Sequence, residues 1–465
     1  MGPAADAIGC PEPSAWECGI RDALRRVRAL PKDAYLTLAL PVAAPPSGPR
    51  RLAAEGWFLE DHTGWRLGIG TAAQLQSRGP GRLPRLAQAF ERWRARWRIE
   101  GDAGAGPAVY CGFGFGDEAP PGAWEAFPQA CCVLPRVELA SGTGGTRLYV
   151  SFSAREWADG SGDAGRLRIL RRHLKQLAAC FRPGGVSVGR CAPANDDPGF
   201  GLWCRRLRAA LAAIQSGSLR KLVLARRQRW NGPGLDPARQ PLARLAAQCP
   251  GEVAYAVRCG GGLLLGRSPE RLVSVAGNRV VSEAVAGTAP ATAAGALERP
   301  RLREEHAWVA EAIEVGLAGL ARGPVERGEL EIRRAGPLVH WCQPLSAPLS
   351  TGSSFSLLDA ACVLHPTPAV AGYPGEAARR WLAASGDPPR GWYSGAVGWM
   401  DRQGRGTLSV VLRCALVSAG QADLYAGAGV VAGARAQFEW RETDWKLRQV
   451  ASLLGLHPPA AVATG

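Results

Sequence analysis

Leu263-Leu-Leu-Gly-Arg-Ser-Pro-Glu-Arg-Leu-Val273 reads as strand, turn and strand. An apolar run is broken by Ser-Pro, and a second apolar run resumes after one charged pair. The turn places a carboxylate, Glu270, directly after Ser268-Pro269. From such a turn an acid can face a cleft, although a turn acid more often faces solvent. Gly266-Arg-Ser-Pro-Glu270 does not complete a Gly-x-Ser-x-Gly elbow, so Ser268 is not a nucleophile of that type.

Strands and helices alternate on both sides of this stretch. Upstream, 34–41, 108–115 and 146–152 read as strands, and 83–98 and 167–180 as helices. Cys191 to Gly199 is a polar, Pro-containing joint, which divides the chain into 1–195 and 196–458. Beyond it, 203–215 is a helix stopped by Ser216-Gly217. Residues 222–225 and 252–257 are strands, and 304–321 is a strong helix. Leu408 to Leu416 reads as one strand with Arg413 near its end, 423–433 as a strand and glycine loop, and 438–454 as the last helix.

Composition narrows the chemistry. Of 56 basic residues only four are lysine: Lys32, Lys175, Lys221 and Lys446. A lysine kept where arginine is otherwise preferred is a candidate base, because a desolvated amine gives up its proton and a guanidinium does not. Lys221 and Lys446 lie in the most motif-like segments. The net charge of +16 is spread along the chain without basic runs or basic-aromatic interleaving. It therefore points to an anionic small molecule and away from nucleic acid. The thirteen cysteines form no Cys-x-x-Cys pair, which argues against zinc ribbons and redox motifs. No leader-like start and no long apolar span occurs, so the expectation is a cytoplasmic protein with reduced cysteines and no membrane association.

Three further features could carry chemistry. Glu439 and Glu442 are three apart on one helical face, and Glu304 and Glu305 open the long helix where the macrodipole favours negative charge. Carboxylates on two helices make an oxygen-rich site suited to Mg²⁺. Gly427-Ala-Gly-Val-Val-Ala432 matches the dinucleotide fingerprint only locally, with no room for the rest of such a unit. A bare backbone approaching an anion accounts for it better, and a plain tight turn accounts for it equally well. His340 and His365 read as structural histidines rather than metal ligands.

Taken together, several segments resemble the chorismate-utilising enzymes of menaquinone, siderophore and tryptophan pathways, and within them the isochorismate synthase branch. They are Lys221-Leu-Val-Leu-Ala-Arg226, Ser268-Pro-Glu-Arg-Leu272, Glu283-Ala-Val-Ala-Gly-Thr-Ala289, Leu364-His-Pro-Thr-Pro-Ala-Val370, Arg390-Gly-Trp-Tyr-Ser-Gly-Ala-Val-Gly-Trp399, Tyr425-Ala-Gly-Ala-Gly-Val-Val431 and Glu439-Trp-Arg-Glu-Thr443 with Lys446. The resemblance is specific from about residue 200 to 455 and loose before it.

It implies an α+β fold: a single large domain of two antiparallel β-sheets packed face to face, helices outside. It implies that Lys221 is the base that activates water for attack at C2 of chorismate. Glu270 is then the acid that protonates the departing C4 hydroxyl. Glu305 and Glu442, with Glu439 nearby, would hold Mg²⁺ against the ring carboxylate. Tyr393 and Arg413 would hold the enolpyruvyl carboxylate. Lys446, Thr288, His340, Ala369, Val370 and the backbone at Gly427 and Gly429 would complete the substrate pocket. A dianionic substrate needs such a cradle of cations and donors. The resemblance further implies a monomer whose product is used by a separate enzyme.

Two departures from the family pattern stand out. Leu302 occupies a position where the family carries an acid, one turn before Glu305, and the stretch from Thr288 to Glu305 is shortened. These motivate the alternative of a noncatalytic chorismate-binding descendant. Within the family, the alternatives are a salicylate synthase or an anthranilate or aminodeoxychorismate synthase component.

Overall fold

The computed structural model of the protein describes residues 13–456 apart from 27–30, 32, 44–47, 103, 105, 119–121, 159–161, 183–190, 241, 246–250 and 350–354. Its helices are α1 (Pro13–Arg26), α2 (Arg82–Arg94), α3 (Ala154–Ala158), α4 (Gly162–Ala179), α5 (Phe200–Gln215), α6 (Pro300–Ala318), α7 (Leu357–Leu364), α8 (Gly375–Ala384) and α9 (Ala436–Leu454). The first strands are β1 (Tyr35–Val42), β2 (Gly56–Asp61), β3 (Gly64–Ser77), β4 (Trp97–Gly101), β5 (Val109–Phe113), β6 (Ala130–Gly142), β7 (Gly145–Ser153) and β8 (Ala192–Asp197). Then come β9 (Lys221–Asn231), β10 (Val253–Cys259), β11 (Gly262–Ser268), β12 (Arg271–Ala276), β13 (Arg279–Pro290), β14 (Glu326–Arg327), β15 (Glu331–Ala335) and β16 (Leu338–Pro348). The last are β17 (Gly372–Tyr373), β18 (Ala396–Met400), β19 (Gly406–Val410), β20 (Cys414–Ser418) and β21 (Gln421–Val431).

These strands form one hydrogen-bonded network with two arms that meet at β6. The first arm runs β4-β1-β7-β6-β3-β2-β10-β11-β20-β21-β9, with β8 and β17 beside β9. The second leaves β6 through β5 and runs β18-β19-β12-β13-β16, with β14 and β15 beside β16. Only β1 and β4 pair in parallel; the other pairs among the described residues are antiparallel. The arms share a core of Trp57, Tyr255, Leu264 and Leu416 from one and Tyr110, Val397 and Trp392 from the other. This is the expected pair of face-to-face antiparallel sheets.

The outer faces are covered as well. Phe58, Ala256 and Leu265, alternating with inward neighbours, pack with Leu24 of α1, Leu170 of α4 and Val450 of α9. Val273, Leu408 and Val410 pack with Phe90 of α2, Ile313 of α6 and Leu358 of α7. Successive side chains of a strand point to opposite faces, so a strand buried on both must be apolar throughout. That explains the unbroken Leu263-Leu-Leu265 run.

Several sequence expectations are corrected. The helix expected over 83–98 ends at Arg94, and Trp97 starts β4. Trp97 is fully buried and donates from Nε1 to Thr37 Oγ1 at 2.8 Å, a tertiary capture that overrides the helical pattern. The joint at 191–199 contains β8, which pairs with β9. Helix α6 starts at Pro300, so Glu304 and Glu305 lie beyond its first turn rather than at its opening. The strand read from 408 to 416 breaks into β19 and β20, and Arg413 sits in the break with φ 47°. The glycine loop is a strand: Gly427 and Gly429 pair with Ala225 and Val223 inside β21.

The opening stretch also behaves differently from a hairpin. Strands β11 and β12 do not pair with each other: β11 pairs with β10 and β20, and β12 with β13 and β19. Ser268 to Arg271 is therefore a crossing from one arm to the other. Val411 to Arg413 is a second crossing beside it, between β19 and β20. The two are joined by Val410 N–H to Glu270 O at 3.0 Å and Arg267 N–H to Arg413 O at 3.3 Å.

Candidate active site

One face of the β9–β21 pair forms the floor of a cavity. Lys221 and Val223 of β9 point the same way as Tyr425, Gly427, Gly429 and Val431 of β21, two residues apart in each strand. The opposite face buries Leu222, Leu224, Ala428 and Val430 against Trp203 and Leu207 of α5 and Leu382 of α8. Lys221 is thus fixed by an apolar strand on its back and is itself 1% exposed. Its Nζ lies 2.9 Å from Glu305 Oε1.

The glycines of β21 are there for space. A Cβ on Gly429 would lie 2.7 Å from Glu305 Oε1 and 3.3 Å from Lys221 Cε. A Cβ on Gly427 would lie 2.7 Å from the Tyr393 hydroxyl. Tyr393 stacks on Tyr425, whose hydroxyl accepts a 2.9 Å bond from Trp124 Nε1. Burial pushes the Tyr393 hydroxyl well above its usual pKa, so it enters the cavity as a neutral donor.

The two arm crossings supply Glu270 and Arg413. Burial lifts the Glu270 carboxyl to about 8, against the pull of Lys221 and with help from Glu283. It is therefore protonated at neutral pH. Thr367 Oγ1 donates to its Oε1 at 3.5 Å. Arg413 donates from Nη2 to His340 Nε2 at 3.0 Å. Burial, with Arg413 and Lys446 nearby, drives His340 well below its usual pKa, so the ring is neutral. Its proton then sits on Nδ1, which is 3.2 Å from Gly287 O and 3.1 Å from Thr288 Oγ1. A bulge in β13 with Gly287 at φ 72° aims both groups at His340.

The wall beside Val223 is held by Arg390. Its guanidinium donates to Val370 O and Val223 O, each at 2.8 Å, and to Asp387 Oδ2 at 2.5 Å. That fixes Ala369 and Val370 at the cavity edge.

Helices α6 and α9 close the acidic end. Glu439 is buried, and burial followed by repulsion from Glu442 raises its carboxyl to about 8. Glu442 Oε1 pairs with Lys446 Nζ at 2.7 Å, and Lys446 also donates to Gly427 O at 2.8 Å. Among the described residues no three acidic, His or Cys side chains are already gathered closely enough to hold a metal. The donor chemistry nevertheless fits a hard cation. Glu305, Glu439 and Glu442 are all oxygen donors on one cavity, and their mutual repulsion is what a divalent ion would relieve. Such an ion would compete with Lys221 and Lys446 for two of them.

The residues that the resemblance assigns to the site line this one cavity: Lys221, Glu270, Thr288, Glu305, His340, Ala369, Val370, Tyr393, Arg413, Gly427, Gly429, Glu439, Glu442 and Lys446; Glu304, the other carboxylate considered on α6, is exposed and does not. Of the other lysines, Lys175 lies on α4, and Lys32 is outside the described residues. Leu302 also lines the cavity, packed with Leu297 and Trp341, so an apolar wall stands where an acid was anticipated. Sequence reasoning missed Arg301, Ser394 and Leu412, which line the cavity, and Thr367, which touches Glu270. Thr367 lies inside the His-Pro-Thr-Pro segment already singled out, and Arg301 heads the segment that carries Glu305. Ser394 likewise lies inside the Arg390–Trp399 segment, whereas Leu412 had no comparable signal.

A buried amine, a protonated carboxyl, two cations and a carboxylate cluster in one cavity could hold an anionic ligand and exchange protons with it. Comparison with known proteins bears on which ligand. Residues 48–455 match the family described as "Chorismate binding enzyme". The chain is 31% identical over 401 residues to the salicylate biosynthesis isochorismate synthase of Pseudomonas aeruginosa, covering 83% of this chain and 82% of that one. Its fold is similar to that of MenF, the menaquinone-specific isochorismate synthase from Escherichia coli, with a TM-score of 0.72, 20% identity and coverage of 94% and 99%. It is also similar to that of DhbC from Bacillus anthracis, with a TM-score of 0.67, 23% identity and coverage of 87% and 98%.

Proposed function

This chain belongs to the chorismate binding enzyme family, and from that premise we propose that it is an isochorismate synthase. It converts chorismate to isochorismate by adding water at C2 and losing the C4 hydroxyl. The observation that carries this reading is that Lys221 and a protonated Glu270 line the same cavity. Water is a poor nucleophile until a base takes its proton, and hydroxide leaves poorly until an acid supplies one.

In this mechanism Lys221 is the base that takes a proton from water as its oxygen bonds to C2. The ring double bonds shift, the C4–O bond breaks, and Glu270 gives its proton to the departing oxygen. One water enters and one leaves, so the reaction is an isomerisation. Arg413 and Tyr393 hold the enolpyruvyl carboxylate. Ala369, Val370, Thr288, His340, Lys446 and the strand glycines Gly427 and Gly429 shape the remaining pocket. Glu305, Glu439 and Glu442 would hold Mg²⁺, which would neutralise the ring carboxylate. A cytoplasmic location, a monomeric state and a separate enzyme that consumes the product belong to the same reading. Among the described residues no helix is long and apolar enough to cross a membrane.

The test is the purified protein with chorismate and Mg²⁺, products separated by HPLC, with an EDTA control. A Mg²⁺-dependent isochorismate peak without salicylate supports the reading. Salicylate and pyruvate would move the enzyme to a lyase-competent activity, and bound chorismate without turnover would reduce it to a binding protein.

A further inference from the structure

Glu252 stands outside the cavity lining, just before β10, yet it touches the residue that anchors one end of the substrate. Its Oε1 accepts from Arg413 Nη1 at 3.0 Å, and its Oε2 lies 3.9 Å from Arg267 Nε. Both the Glu252 and Arg413 side chains are 7% exposed. Arg413 itself occupies the left-handed region, φ 47°, which a residue with a Cβ adopts at a cost that its surroundings must offset. Those surroundings are specific. Arg267 N–H donates to Arg413 O, and Tyr255 donates to the preceding carbonyl, Leu412 O, at 2.7 Å. Gly266 permits the approach, since a Cβ there would lie 2.7 Å from Arg413 O.

The side chain is pinned from two directions. Glu252 takes one Nη and neutral His340 takes the other. Two acceptors on separate nitrogens fix the plane of a guanidinium, which is what recognition of a carboxylate requires. Glu252 also links the two crossings: it lies next to Val253, which pairs with Ser268, two residues before Glu270.

We propose that Glu252 is a positioning residue of this site, holding Arg413 in the orientation that binds the enolpyruvyl carboxylate. The inference rests on the reading of Arg413 given above. Removing the carboxylate takes away one of the two acceptors that orient the Arg413 guanidinium, so its plane is no longer fixed from both sides.

Glu252→Ala is expected to raise KM for chorismate about tenfold or more while kcat stays within about threefold, the pattern of lost substrate binding. Glu252→Gln keeps an acceptor oxygen and is expected to recover most of that loss. Binding of 3-hydroxybenzoate, which has a ring carboxylate but no enolpyruvyl carboxylate, is expected to be the same in wild type and both variants. Thermal melts identify any variant that fails to fold; if Glu252→Ala does, Glu252→Leu, which also lacks the acceptor but fills the space, carries the same KM expectation. An unchanged KM in Glu252→Ala overturns the proposal, as does an equal loss of affinity for both ligands, which would mark a general structural role. If instead Arg413→Ala binds chorismate as wild type does, the reading of Arg413 fails and takes the proposal with it.

Discussion

In the proposed mechanism Glu270 acts as the acid only while it keeps its proton, and its buried surroundings favour that form. With its carboxyl lifted to about 8, turnover is expected to fall as pH rises through about 8, measured as kcat across a pH series. The same shift affects stability. The folded state binds the Glu270 proton more tightly than the unfolded chain, whose carboxyl titrates near 4.5. The stability contributed by the neutral form is complete below that value and is lost as pH rises towards 8. Glu270→Gln cannot ionise, so it should abolish turnover yet unfold at a higher denaturant concentration than wild type at about pH 9. A Glu270→Gln enzyme that keeps wild-type turnover would remove the acid assignment. Lys221→Ala is expected to lower kcat by about 10²–10⁴-fold with chorismate still bound. Binding measured by calorimetry alongside turnover separates loss of the base from loss of the pocket.

Strand β21 shows how an element can be shaped by what must pass over it. Gly427 and Gly429 give no side chain to the cavity, and that is their use: Tyr393 and Glu305 occupy the space. Gly429 has ordinary strand geometry, so alanine costs little in backbone terms. Its methyl group would nonetheless displace Glu305 from Lys221. Gly429→Ala is expected to lower kcat by at least about tenfold with a melting temperature near wild type, an overpacking effect confined to the site. A fully active Gly429→Ala enzyme would mean that the Lys221–Glu305 pair is not needed as it stands. Helix α9 works by faces: Glu439 and Thr443 are buried, while Phe438 and Trp445 are exposed on the other side. The sequence spacing of Glu439 and Glu442 therefore carried real information about the site.

At the scale of the whole molecule, the site exists because two arms of one sheet network exchange strands at one place. Glu270 and Arg413 lie on adjacent crossings, and the core between the arms keeps those crossings in register. Trp392 is central to that core, 2% exposed, beside Trp57 and Phe127, with Nε1 donating to Pro128 O at 2.7 Å. Trp392→Ala is expected to destabilise the fold by about 3–5 kcal/mol, read from chemical denaturation. Because Trp392 is next to Tyr393, the KM for chorismate should rise as well. A destabilised enzyme with unchanged KM would show that the inter-arm core and the site are independent.

Local pattern alone was enough for most of the element types and for the residues that the structure gathers in one cavity. Apolar runs and helical periodicity depend on neighbours along the chain, and rare residue choices such as Lys221 and Lys446 are visible without a fold. Where elements stop was legible only when a local signal stopped them, as at Ser216-Gly217, whose glycine takes φ 79°. Trp97 left its helical pattern for a partner sixty residues away in sequence, Thr37. The tertiary structure alone decided that Leu408 to Leu416 breaks at Arg413, that Gly427 and Gly429 lie in a strand, and that Ser268 to Arg271 crosses between arms. It also decided the partner of Glu252. Each of these depends on contacts between segments far apart in the chain, and the energy of such contacts is set by packing and burial that no local pattern encodes.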